Sequence, residues 1–147
     1  MNIKISSKVK SLNSMLCNID SAYQSLLQSK NLSDSDYAIL FAILELGEGC
    51  LQKDISSASY ISKKTINSTI KKFERDGIIE LKAGKYPNMH IHFTQKGNNY
   101  ITKNILPLIE FENKFMEDIP DDEFQHLTEM YLKYVKIFKE RVEQAKL

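Results

Sequence analysis

Proline and glycine are scarce in this chain, three and five in 147 residues. A sheet-rich fold with many tight turns needs more of both, so helix should dominate. Cysteine is nearly absent as well. Cys17 and Cys50 lie far apart, in apolar or Gly-rich settings, which excludes a disulfide framework and a zinc-type cysteine pattern. A reduced, cytoplasmic compartment is the corresponding expectation. Long hydrophobic runs are missing too. No segment approaches the roughly 18 apolar residues that span a bilayer, so no membrane partner is expected. The opening stretch MNIKISSKVKSLNSM lacks the continuous apolar core of a signal peptide. Nor does one sign of charge prevail: the formal net charge is +1, so the molecule as a whole is not a polybasic binder.

What is present is unevenly distributed. At 42% hydrophobic the chain can bury a core, which excludes wholesale disorder. Between Leu51 and Tyr86 there are eight cations against four acids; from Pro107 to Leu147 there are ten acids against six cations. A basic middle and an acidic end suggest one surface for a polyanion and another for something else. There is no internal repeat and no low-complexity tract.

The apolar periodicity predicts a series of helices with one hairpin. Ile5, Val9, Leu12, Leu16, Ile19, Tyr23 and Leu26 step by four and three, giving a long helix over about 3–28 that packs along another helix. Ser33 to Leu46 reads as a second helix with Tyr37, Leu40, Phe41 and Leu44 inward, ended by Gly47-Glu48-Gly49. Leu51 to Ser59 is a short helix, followed by a tight turn and a helix beginning at Ser62. Ile78 to Lys82 and Met89 to Thr94 alternate as strands around a turn at 83–88. A further long helix runs from Gln95 to about Met116, with a kink or boundary expected at Leu106–Pro107. The acidic stretch 117–122 caps a last helix carrying Phe124, Leu127, Tyr131, Tyr134 and Phe138 on one stripe. The terminal helices carry more apolar surface than one small core requires, so pairing with a second copy is expected.

The segment Ser62 to Gly77 divides cleanly into two faces. Ile66, Ile70 and Phe73 form the apolar side, and Lys64, Asn67, Ser68 and Lys71 recur at i, i+3, i+4, i+7 on the other. That outer stripe mixes cations with short hydrogen-bonding side chains and holds no acid. Lysines neutralise phosphates; Asn and Ser hydrogen-bond to base edges or phosphates. Ser62 suits an N-cap and Gly77 a C′ position. Alone, such a stripe could be a solvated face. A short helix, a turn and this helix together form a helix-turn-helix pattern, and the two strands after it form a wing.

The order of elements resembles the MarR family of bacterial transcriptional regulators. The segment SKKTINSTIKKFERDGII, from Ser62 to Ile79, resembles the family's S-x-x-T-(V/I)-(N/S)-x-x-(I/L)-K-x-L-E-x-x-G-(L/Y)-I recognition segment. Phe93-Thr94-Gln95-Lys96-Gly97 is similar to its L-T-x-x-G after the wing. One departure stands in the wing, where Lys85-Tyr86-Pro87 replaces the frequent Asp-x-Arg pattern. The resemblance implies a mainly α winged helix-turn-helix fold with a two-stranded β wing and long N- and C-terminal dimerisation helices. It makes 1–147 one domain, with the DNA-binding lobe at 33–94 and the dimerisation helices at 1–30 and 98–147. It implies a homodimer that binds a pseudo-palindromic operator on double-stranded DNA, as a repressor, and releases it when a small aromatic or anionic effector binds.

On that reading Lys64, Asn67 and Ser68 are the expected base contacts, with Ser62 and Thr65 beside them at the helix start. Lys63, Lys71 and Lys72 are expected on phosphates, with Gln52 and Lys53 on the bracing helix and Lys82 and Lys85 on the wing. Tyr23, Tyr37 and Phe41, with the helix after Gly97, are the expected effector pocket.

Other chemistry is weaker. His90 and His92 share the outer face of one strand, but no carboxylate or cysteine adjacent in sequence completes a metal site, and surface positions explain them; no metal and no cofactor is expected. Cys17 follows a leucine on the first helix, as in a peroxide-sensing branch of the family, yet its spacing to the second helix is short and a buried structural thiol is the expectation. No nucleophile elbow, phosphate-binding loop or zinc helix motif is present, so an enzyme is not expected. Three alternatives use the same sequence differently: a winged-helix module that binds protein, a DNA-binding protein without an effector, and a redox-sensing regulator using Cys17.

Overall fold

A computed structural model describes residues 4–59, 61–84 and 89–145 of the chain. Among the described residues seven helices and one hairpin follow in order: α1 (Ser7–Gln28), α2 (Asp34–Leu46), α3 (Gln52–Ala58), α4 (Lys63–Arg75), β1 (Ile79–Ala83), β2 (Met89–Phe93), α5 (Gln95–Asn104), α6 (Leu106–Glu117) and α7 (Asp121–Ala145). The chain divides into two units, one ending at Leu108 and one beginning at Ile109.

Local chemistry sets most of the boundaries in the first unit. Ser6, Ser33, Ser62 and Thr94 cap α1, α2, α4 and α5, each hydroxyl accepting from a backbone N–H in the first turn. At α3 the backbone N–H of Leu51 donates to the Asp54 carboxylate at 3.0 Å, the return half of a capping box. Helix α4 ends in a Schellman arrangement: Ile78 N–H reaches back to the Phe73 carbonyl at 2.8 Å, and Gly77 takes φ +69°. Ile105 separates α5 from α6, and Pro107 falls in the first turn of α6, where its missing N–H costs nothing. The long helix expected over 95–116 is therefore two helices, divided at Ile105, next to the boundary expected at Leu106–Pro107.

The core of this unit lies beneath α4. Ile66, Thr69, Ile70 and Phe73 bury the inner face of that helix against α2 and α3, whose Ile39, Leu40, Ile43 and Ile55 are fully enclosed. In the antiparallel hairpin Ile79 faces Phe93 and Leu81 faces Ile91. Ile79, Ile91 and Phe93 are buried, whereas Met89, expected on the same face, is exposed near the hairpin end. The loop after α2 joins the hairpin: Gly49 N–H donates to the Ile91 carbonyl at 2.8 Å, and Ile91 N–H donates to Cys50 at 3.0 Å.

Two inward expectations are corrected. Phe41 is exposed, because Ile39, Leu40, Ala42 and Ile43 already fill the buried side of α2. Cys17 is exposed as well: of α1 only Leu27 is buried, and Val9, Leu16 and Ile19 on its stripe, with Ile5 just before the helix, are exposed in the single chain. The second unit is helical. Its α7 buries no residue, and Phe124, Leu127, Tyr131, Tyr134 and Phe138 all stand exposed along it.

Candidate nucleic-acid interface

Burying Ile66, Ile70 and Phe73 turns the opposite side of α4 outward. Lys63, Lys64, Asn67, Ser68 and Lys71 are exposed there. The start of the helix is stiffened from within: Thr65 N–H donates to Ser62 Oγ at 3.1 Å, and the two hydroxyls lie 2.9 Å apart. Ser62 and Thr65 thus serve the helix itself. Ser68 donates its hydroxyl to the Thr65 carbonyl at 2.9 Å, leaving its lone pairs facing solvent. Gln52, Lys53 and Ser56 of α3 join Lys63 and Ile66 around a cleft of about 210 Å³ where brace and second helix meet. Gln52, Lys53 and Lys63 are thereby brought together; Ser56 was not foreseen.

Two expected phosphate contacts already have partners. Lys72 Nζ lies 2.6 Å from Asp36 Oδ2, and that carboxylate is buried within the first turn of α2. Lys72 therefore ties α4 to α2 across 36 residues of sequence, a pairing no local pattern announces. Lys82 lies 2.8 Å from Glu80 Oε1 on the surface of the wing. The hydrogen bond to Glu80, and then its charge, push the Lys82 ammonium above its ordinary range, so it stays charged. An exposed pair of this kind adds little to stability and can open toward another anion. Lys85 lies outside the described residues.

The histidines take a place that the sequence did not suggest. His90 shares a hydrogen bond through Nδ1 with the Gly49 carbonyl, and His92 Nδ1 is 3.6 Å from Glu48 Oε2. His90 thus fastens the wing to the loop that leads into α3, and His92 stands beside it. Among the described residues no group of three His, Cys, Asp or Glu could hold a metal. Cys50, beside that loop, is buried; burial first, and the Asp54 charge second, push its thiol up, away from the reactive thiolate.

Of the expected pocket residues, Tyr23 and Tyr37 line one cleft of about 320 Å³ between α1 and α2, with Asp20, Gln24, Leu27 and Asp34. Phe41 does not line it; its ring lies 6.0 Å from that of Tyr37. The lining acids were missed because exposed aspartates carry no periodic signal.

A bracing helix, a turn, a helix with a polar outer face and a hairpin pinned behind it define a winged helix-turn-helix protein. Residues 30–85 match the profile of the MarR family. Solved structures resemble it over nearly its full length. NMB1585, a MarR family regulator from Neisseria meningitidis, is 17% identical with a TM-score of 0.80, covering 95% of this chain and 99% of that one. PcaV, a transcriptional regulator from Streptomyces coelicolor solved with its natural ligand, is 12% identical with a TM-score of 0.69, covering 91% and 98%. BpsR of Bordetella bronchiseptica, whose DNA binding is regulated by 6-hydroxynicotinic acid, is 12% identical with a TM-score of 0.65, covering 85% and 98%. None of the curated proteins compared matches the chain. No helix among the described residues is long and apolar enough to cross a membrane.

Proposed function

We propose that this protein is a homodimeric, sequence-specific DNA-binding repressor of the cytoplasm, released from a pseudo-palindromic operator by a small molecule. The observation that carries this reading is the outer face of α4. It gathers Lys63, Lys64, Asn67, Ser68 and Lys71, all exposed, with the buried Ile66–Ile70–Phe73 side fixing which way they point. Lys64, Asn67 and Ser68 read bases in the major groove. Lys63, Lys71, Gln52, Lys53, Lys82 and Lys85 hold phosphates. The whole chain acts as one functional domain, with the lobe at 33–94 and dimerisation helices at 1–30 and 98–147. Two copies set their α4 helices one turn of DNA apart, about 34 Å.

The test is selection from a pool of random duplexes at two salt concentrations. An enriched inverted repeat whose affinity falls steeply with salt supports the reading. No enrichment and no salt dependence would overturn it and favour a protein partner. Within the enriched site, Asn67→Ala should lower operator affinity more than random-duplex affinity. Lys71→Ala should weaken every sequence alike and reduce the salt slope by about 1 per protomer. Equal losses on operator and random DNA for both variants would defeat that division of roles.

Dimerisation rests on the exposed apolar rows of α1 and α7. Single soluble chains rarely leave so many large apolar side chains in contiguous rows. Leu127→Glu with Tyr134→Glu should therefore convert the dimer to a species of 17.0 kDa in sedimentation equilibrium. Operator binding should fall with it, because each half-site then binds alone. An unchanged dimer mass would place the interface elsewhere.

A further inference from the structure

We infer that the cleft between α1 and α2 takes an organic cation with an aromatic or alkyl body. The inference rests on the effector clause of the proposed function and names the chemical class of that effector. Its lining is chemically one-sided: the carboxylates of Asp20 and Asp34, the rings of Tyr23 and Tyr37, the amide of Gln24 and the buried Leu27. Among the described residues no lysine, arginine or histidine lines it. An anionic ligand would meet two carboxylates and no cation to pair with. A cation meets both acids, and aromatic rings attract cations through their electron-rich faces. At about 320 Å³ the cleft is at the small end of the range of roughly 300–1,000 Å³ that small-molecule sites occupy, which suits a body of one or two rings.

The position also gives such a ligand a lever. Asp34 and Tyr37 belong to the first turn of α2, and the same turn carries Asp36, whose carboxylate holds Lys72 of α4. A cation drawn between Asp34 and Tyr37 bears on the turn that anchors the polar helix. A displacement there reaches α4 through the Asp36–Lys72 ion pair and through the core that α2 and α4 share.

The experiment uses calorimetry on the full chain with two probes, benzyltrimethylammonium and salicylate, at low and moderate salt. Benzyltrimethylammonium should bind saturably and more weakly as salt rises, and salicylate should show no heat of binding. Asp34→Asn and Asp20→Asn are exposed, conservative changes, and unchanged thermal midpoints verify that they fold. Each should weaken the cation at least tenfold, and Tyr23→Leu should weaken it as well. Salicylate binding in preference to the cation, no binding of the cation, or cation binding indifferent to all three variants would overturn the inference. Operator release is read separately by fluorescence anisotropy. Release by salicylate without cation binding would sustain the regulatory reading and overturn this inference; cation binding by calorimetry without operator release would support this inference and count against the regulatory one.

Discussion

Replacing Gly97 with alanine is expected to destabilise the first unit by about 3 kcal/mol or more, at or beyond the upper end of ordinary overpacking. For a unit of this size that lowers the thermal midpoint by roughly 10–20 °C. The reason is backbone against backbone. A Cβ at Gly97 would overlap the carbonyl oxygen of Ile78 and stand 2.9 Å from its carbon. Ile78 has no freedom to retreat. Its N–H donates to the Phe73 carbonyl at 2.8 Å, closing α4, and its own carbonyl accepts from Thr94 N–H at 3.1 Å. Thr94 completes the clamp: its hydroxyl donates to the Gly77 carbonyl at 2.6 Å and accepts from Gly97 N–H at 2.9 Å. The end of α4, the return from the wing and the start of α5 therefore meet at one point. Gly77→Ala is the control. There an added Cβ meets only the Lys96 side chain at 3.8 Å, so the loss comes from φ +69° alone and should be about 1 kcal/mol. Urea denaturation measures both. A Gly97→Ala protein as stable as the wild type would mean that α5 does not dock against Ile78.

This clamp also marks how far the sequence could be read. The Thr94–Gly97 spacing was visible as a family resemblance, and the cap at Thr94 is a local rule. The need for glycine is not local, since it arises from Ile78, nineteen residues earlier in the chain. The two faces of α4 were legible because a helix repeats every 3.6 residues whatever surrounds it. Ser33, Ser62 and Gly77 were legible because caps are short-range chemistry. On α2 the same logic failed: the helix is apolar around most of its circumference, so periodicity could not choose between Phe41 and Ile43, and packing chose Ile43. Cys17 was misplaced for a related reason. A heptad-like stripe states that a helix has an apolar side, not which chain covers it. Alternation along β2 puts its histidines on an outer face. Their attachment to Glu48 and Gly49 depends on how the loop after α2 folds back on the hairpin, which no spacing within either segment encodes.

Lys72→Met should cost about 1–3 kcal/mol, and more than Asp36→Asn. Asp36 is the enclosed partner, with its side chain 8% exposed against 45% for Lys72. Removing the lysine leaves a carboxylate in the interior without its cation. Removing a partner from a fully buried pair costs roughly 3–5 kcal/mol, and the solvent reaching Lys72 reduces that figure here. Asp36→Asn instead leaves the lysine free to turn toward water and keeps the buried shape. A spectroscopic sign test separates charge from packing. Burial, followed by the Asp36 charge, raises the Tyr100 hydroxyl above its ordinary range, and Lys72 acts against that rise. Tyrosinate absorbance should therefore appear at higher pH in Lys72→Met and at lower pH in Asp36→Asn. Because the folded Tyr100 titrates above the unfolded one, its contribution to stability is fully present below the ordinary tyrosine range and is lost as pH rises from there through the raised folded value. The same variants decide what Lys72 does on DNA. If its ammonium belongs to Asp36, Lys72→Met leaves the salt slope of operator binding unchanged while Lys71→Ala flattens it. Equal flattening by both would assign Lys72 to phosphate, and the bond to Asp36 would then be one that DNA displaces.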